Sequence, residues 1–96
     1  MVAGRRTEAV ETVMIISVTQ RDIESGTRFS PVYCPIALAI KRSTRRKVSA
    51  GCGWITFANG DQYNTPHEVR VFIDRYDFEK PVEPFTFDLT QDDKKV

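Results

Sequence analysis

Asn59-Gly60, set between Phe57 and Tyr63, constrains this chain more than any other pair of residues. Both residue types tolerate positive φ. Between β-branched and aromatic neighbours, the pair predicts a two-residue type I′ turn joining two antiparallel strands. A turn of that length also sets the pairing. Ala58 then opposes Asp61 and Thr56 opposes Tyr63, which puts Trp54, Thr56 and Tyr63 on one face and Ile55, Phe57 and Gln62 on the other.

The rest of the chain supplies elements around this hairpin. Met14 to Thr19 is β-branched and bounded by polar residues, as a first strand should be. Thr19 suits an N-cap, with Asp22 three positions on and Gly26 as a stop, so Gln20 to Ser25 predicts one helical turn. Cys34-Pro35 opens a short helix in which Ile36, Ala39 and Ile40 form an apolar stripe running into Lys41 and Arg42 at the negative end of the helix dipole. Val48 to Phe57 reads as one strand, with Gly51 and Gly53 marking a bulge or a close backbone approach. Thr65-Pro66-His67-Glu68 combines an N-cap, a first-position proline and a capping-box glutamate, so a helix should begin at Pro66, and Val69, Phe72, Ile73 and Tyr76 make the clearest helical stripe. Lys80-Pro81 ends that helix, and Phe85 to Leu89 alternates as a half-buried last strand. The order β-α-β-β-α-β from about Met14 to Leu89 predicts an α+β domain, a four-stranded, mainly antiparallel sheet with two helices. A ferredoxin-like arrangement is one reading, and a related four-stranded α+β sheet is the other.

Ninety-six residues are enough for one domain and its core. Residues 1–13 read as a flexible leader, 14–90 as the domain and 91–96 as a charged tail. An apolar fraction of 41% with 28% charged residues excludes wholesale disorder. The longest apolar run, Pro35 to Ile40, is far short of a membrane span, and Glu8 and Glu11 interrupt the region a secretory signal would need, so a cytoplasmic protein is expected. Two cysteines, Cys34 and Cys52, and the single His67 have no metal-binding spacing, and no metal or cofactor is expected. The formal charge of +1 conceals an asymmetry: residues 1–50 carry nine Lys or Arg against four Asp or Glu, and residues 51–96 carry five against nine.

Two surfaces are candidates for function. Lys41, Arg42, Arg45, Arg46 and Lys47 place five cations within seven residues. That density suits contact with the phosphates of a nucleotide or nucleic acid, and equally suits a solvated helix end. Trp54 and Tyr63, if left on an open sheet face, have the chemistry to stack bases or anchor a protein interface. If helices or a second protomer cover that face, they are core. Cys34 at a helix N-terminus is a possible nucleophile if His67 lies close, against the reading of a small buried hydrophobe. Asp74, Asp77, Glu79 and Glu83 are a possible acid–base or cation cluster, against a solvated acidic face. None of these forms a recognised catalytic motif, and a non-enzymatic protein is expected.

Three stretches, Val18-Thr-Gln-Arg-Asp-Ile-Glu-Ser-Gly26, Cys34-Pro-Ile-Ala-Leu-Ala39, and Phe72-Ile-Asp-Arg-Tyr-Asp-Phe78 with Pro81 and Pro84-Phe-Thr-Phe87, resemble a group of small bacteriophage and prophage proteins. The resemblance carries no activity or catalytic residue. It implies a context in the host cytoplasm, in which small proteins of this kind act by binding: counter-defence inhibitors of the anti-CRISPR type, or proteins that sequester a nucleotide signal. The partner expected on that ground is a host protein or a nucleotide. A small nucleic-acid-binding protein using residues 41–47 is the alternative.

Overall fold

Exposed and buried residues alternate along β1 (Val13–Val18) and β5 (Phe85–Thr90) in the computed structural model, which describes residues 13–90 and 93–95. The two strands pair antiparallel from Val13 against Thr90 to Val18 against Phe85, so Ile16, Val18, Phe87 and Leu89 all turn inward. The chain leaves β1 through α1 (Gln20–Ser25), whose capping box is complete: the Thr19 hydroxyl accepts the Asp22 N–H and the Asp22 carboxylate accepts the Thr19 N–H. Gly26 follows and has a packing role. A Cβ there would lie 2.6 Å from Pro35 Cδ and 2.9 Å from Pro35 N. Pro35 is the first residue of α2 (Pro35–Thr44), whose buried stripe of Ile36, Ala39 and Ile40 is the one expected from its spacing.

The expected single sheet is not formed. Val48 to Phe57 is two strands, β2 (Val48–Ala50) and β3 (Trp54–Phe57), which pair with each other, Val48 against Phe57 and Ala50 against Ile55. Cys52-Gly53 sits at the apex between them, where the Gly51 N–H donates to the Trp54 carbonyl at 2.9 Å. The paired glycines therefore mark a reversal rather than a bulge. β4 (Gln62–Asn64) adds to β3, and β6 (Lys94–Lys95), within the segment read as a tail, adds to β4. A ten-residue strand could have run alongside β1. Strands of three and four residues instead close a small sheet of their own, leaving β1 and β5 as a separate ribbon. The fold is α+β, with three helices and two antiparallel sheets among the described residues.

The hairpin turn is one residue longer than the type I′ expectation. Phe57 N–H donates to the Asp61 carbonyl and Gly60 N–H to the Phe57 carbonyl, enclosing Ala58, Asn59 and Gly60. Only Gly60 has positive φ there, at 101°, so this is a tight turn followed by a left-handed glycine. The Asn59 side chain accounts for the choice, since its Oδ1 accepts the Asp61 N–H at 3.0 Å. Ile55 now opposes Tyr63 and Thr56 opposes Gln62. A slip of one residue exchanges the faces of a strand, and Tyr63 moves from the open side to the core, where it is 3% exposed.

α3 (His67–Asp77) begins one residue after the expected Pro66 start, and Thr65 does not cap it. Its buried hydroxyl donates to the Gly51 carbonyl at 2.7 Å, tying the start of α3 to the β2–β3 turn. α3 buries Val69, Phe72 and Ile73, and Phe72 stacks on Phe85 at 5.2 Å between ring centroids. Tyr76 reaches the Ile23 carbonyl at 3.0 Å, joining α3 to α1. Most of the expected leader, residues 1–12, lies outside the described residues.

The Gly26–Pro35 approach predicts that Gly26→Ala destabilises the fold by about 1–3 kcal/mol, because backbone as well as ring must move to admit the methyl group. Urea unfolding checks this, and an unchanged midpoint would contradict it.

Candidate functional site

α2 ends at Arg45, a residue in the left-handed conformation (φ 60°) whose N–H closes on the Lys41 carbonyl at 2.7 Å. Glycine takes such a position at little cost, so a non-glycine here has been fitted to a required reversal. The reversal brings Arg45, Arg46 and Lys47 back beside Lys41 and Arg42 in the last turn of α2. All five line one open concavity of about 630 Å³, floored by the half-buried Leu38. Among the described residues, no acidic side chain lines it.

The five cations divide into two kinds. Arg42 donates to the Asp22 carboxylate through Nη1 and to the Ser17 carbonyl through Nη2 at 2.8 Å, locking α2 to α1 and the end of β1. Arg46 lies over the Phe57 ring, 4.2 Å from its centroid, and pairs with Asp61 at 3.4 Å. Lys41, Arg45 and Lys47 have no ion pair among the described residues. Thus two guanidinium groups build the concavity and three cations face solvent from it.

The carboxylates behind it are tuned accordingly. Burial of Asp22 by itself would raise its pKa, but hydrogen bonds from Arg42 and from the Thr19 N–H and hydroxyl outweigh burial and hold the carboxyl below its usual value. The Asn59 amide, followed by Lys94 and Arg46, does the same for Asp61.

The aromatic half of the expected site separates. Trp54 is on the outer face of β3 and 46% exposed, whereas Tyr63 is inside, edge-on to Phe57 at 5.7 Å. The open-face pairing of Trp54 with Tyr63 is therefore corrected by the hairpin register. Cys34 is the N-cap of α2 and is buried; burial pushes its thiol up, against the pull of the Ala37 and Ile36 N–H groups, the reverse of the depressed value that favours a nucleophilic thiolate. With Cys52 and Asp77 it lines a cleft of about 220 Å³. No group of three or more metal-binding side chains occurs among the described residues. Of the acidic cluster, Asp77 accepts the Phe29 N–H at 2.9 Å and Glu79 pairs with Arg28 at 3.4 Å.

Those two contacts support a feature the sequence did not single out. Phe29 and Phe78, 67% and 62% exposed, meet edge to face at 5.7 Å, with Phe29 itself at φ 61°. Neither ring belongs to a periodic stripe, which is the signal that would have marked it. No described helix is long and apolar enough to cross a membrane. Neither family models, curated proteins nor solved structures yield a match to this chain.

The Asp22 contacts generate a pH-dependent prediction. The folded-state pKa of Asp22 is lowered, so its stabilisation is present above the unfolded value of about 3.9 and is lost as pH falls through the folded value. Asp22→Asn should cost about 1–3 kcal/mol at neutral pH, and its deficit relative to the parent should shrink below about pH 4. Urea titrations at several pH values test this, and a deficit independent of pH would contradict it.

Proposed function

We propose that this chain is a non-enzymatic binding protein whose working surface is the basic concavity at the end of α2, and that its ligand bears phosphate. The observation that carries the reading is the convergence of Lys41, Arg42, Arg45, Arg46 and Lys47 on one concavity with no carboxylate in its lining among the described residues. Lys41, Arg45 and Lys47, which have no ion pair among the described residues, favour polyanions by charge and by release of counterions. The resemblance to small phage proteins supports a role as a phage accessory factor in the host cytoplasm, counteracting a defence system by engaging a nucleotide signal or nucleic acid.

A second reading, inhibition of a host protein by direct contact, is favoured by the Phe29–Phe78 pair. Exposed aromatic rings held by an ion pair and a backbone hydrogen bond have the rigidity of interface anchors. Phe29→Ala with Phe78→Ala would abolish inhibition under this reading and leave it intact under the first.

For the first reading, binding of a labelled oligonucleotide and of a labelled nucleoside triphosphate should weaken as salt rises. Arg45→Ala combined with Lys47→Ala should weaken binding by about tenfold or more and flatten the salt dependence by one to two units of log–log slope. Both side chains are exposed, so the melting temperature should hardly move. Absence of salt-dependent binding to either probe, or binding indifferent to the double substitution, would overturn the reading.

A further inference from the structure

Lys47 belongs to two surfaces at once. It lines the basic concavity, and it lines a second, mainly apolar depression of about 260 Å³ with Val32, Val48, Ser49, Thr56, Phe57 and Ala58. That depression opens on the outer face of β2-β3-β4, where Ser49 opposes Thr56 and Thr56 opposes Gln62. The Gln62 amide donates to the Thr56 hydroxyl at 3.3 Å. Trp54 lies two residues from Thr56 on the same face and opposes Asn64. The Lys47 carbonyl accepts the Ala58 N–H, so Lys47 stands level with Ala58, four residues from Trp54, or about 13 Å along the strand. Beyond Trp54, Arg70 Nε donates to the Cys52 carbonyl at 3.0 Å, fixing a further cation at the β2–β3 turn. Among the described residues, no acidic side chain lines either depression.

We infer that this face is the track of a single-stranded nucleic acid, with phosphates held by Lys41, Arg45 and Lys47 and a base stacked on the indole of Trp54. The inference rests on the phosphate-binding function proposed above and specifies its ligand. Charge complementarity selects a polyanion. The exposed indole selects one with a free aromatic face, which a duplex keeps within its own stack and a single strand offers. The separation of Lys47 from Trp54, with Lys41 and Arg45 farther along, leaves room for a ligand of more than one nucleotide. Ser49, Thr56, Gln62 and Asn64 between and beside them are uncharged, hydrogen-bonding side chains that can face bases. One stacking residue with polar neighbours gives binding that tolerates any base sequence.

Trp54 is the sole tryptophan of the chain, so its fluorescence reports on the track directly. Short single-stranded oligothymidylate should quench it, whereas a hairpin duplex of matched length and inorganic polyphosphate should not. Trp54→Ala should weaken oligothymidylate binding, followed by a label on the oligonucleotide, by about tenfold while leaving polyphosphate affinity unchanged, and Trp54→Phe should restore most of the loss. Arg45→Ala with Lys47→Ala should weaken all polyanions alike. Oligothymidylate that binds through Arg45 and Lys47 without quenching Trp54, and as tightly after Trp54→Ala, overturns the track and leaves the phosphate-binding function standing. If no polyanion binds at all, both fail.

Discussion

The turn at Ala58-Asn59-Gly60 is the constraint on which the rest of this structure depends. Its length is decided locally, by an Asn59 side chain that takes the Asp61 N–H and a Gly60 that accepts φ 101°. Its consequences are not local. Tyr63 enters the core against Phe57 and Ile55, and Trp54 is turned out. Asp61 is delivered to a point where it meets both Arg46 and Lys94. The same hairpin therefore completes the core, ties down one wall of the basic concavity, and sets the composition of the face beside it.

Five like charges in seven residues would repel one another if all were free. The structure relieves this by committing two of them. Arg42 is neutralised by a buried carboxylate, and Arg46 by a surface carboxylate and an aromatic face. A nearby carboxylate offsets part of the mutual repulsion of such a cluster, the buried Asp22 more than the solvent-screened Asp61. What remains is a scaffold of two guanidinium groups presenting Lys41, Arg45 and Lys47. The left-handed backbone at Arg45 gives the presentation its direction, and its conformational cost is offset by the Lys41 carbonyl it satisfies and by the packing of α2 beneath it.

Much of the helical structure was legible in the sequence because its signals are short-range. The Thr19–Asp22 box, the Cys34-Pro35 start and the Val69–Tyr76 stripe each act within a turn or two, and each appears where it was expected. The sheet was less legible, for two identifiable reasons. Asn-Gly is compatible with turns of two and of three residues, and only the side-chain bond to Asp61 separates them. Val48 to Phe57 has the composition of one strand, and its reversal is encoded only by Gly51 and Gly53, which serve equally for a bulge. At the candidate site, the basic run was visible as a run, but its division into structural and free cations was not. Asp22 and Asp61 lie 20 and 15 residues from the arginines they bind, and nothing in spacing or composition signals such pairs. The Phe29–Phe78 contact is hidden by the same sequence separation.

The most direct test of this account is the register of the hairpin itself. Cross-strand proton contacts measured by NMR should pair Ile55 with Tyr63 and Thr56 with Gln62, with the Tyr63 ring shifted by Phe57 and Trp54 on the opposite face of its strand. Contacts pairing Thr56 with Tyr63 would return Tyr63 to the face of Trp54 and contradict both the core and the surface described for this fold.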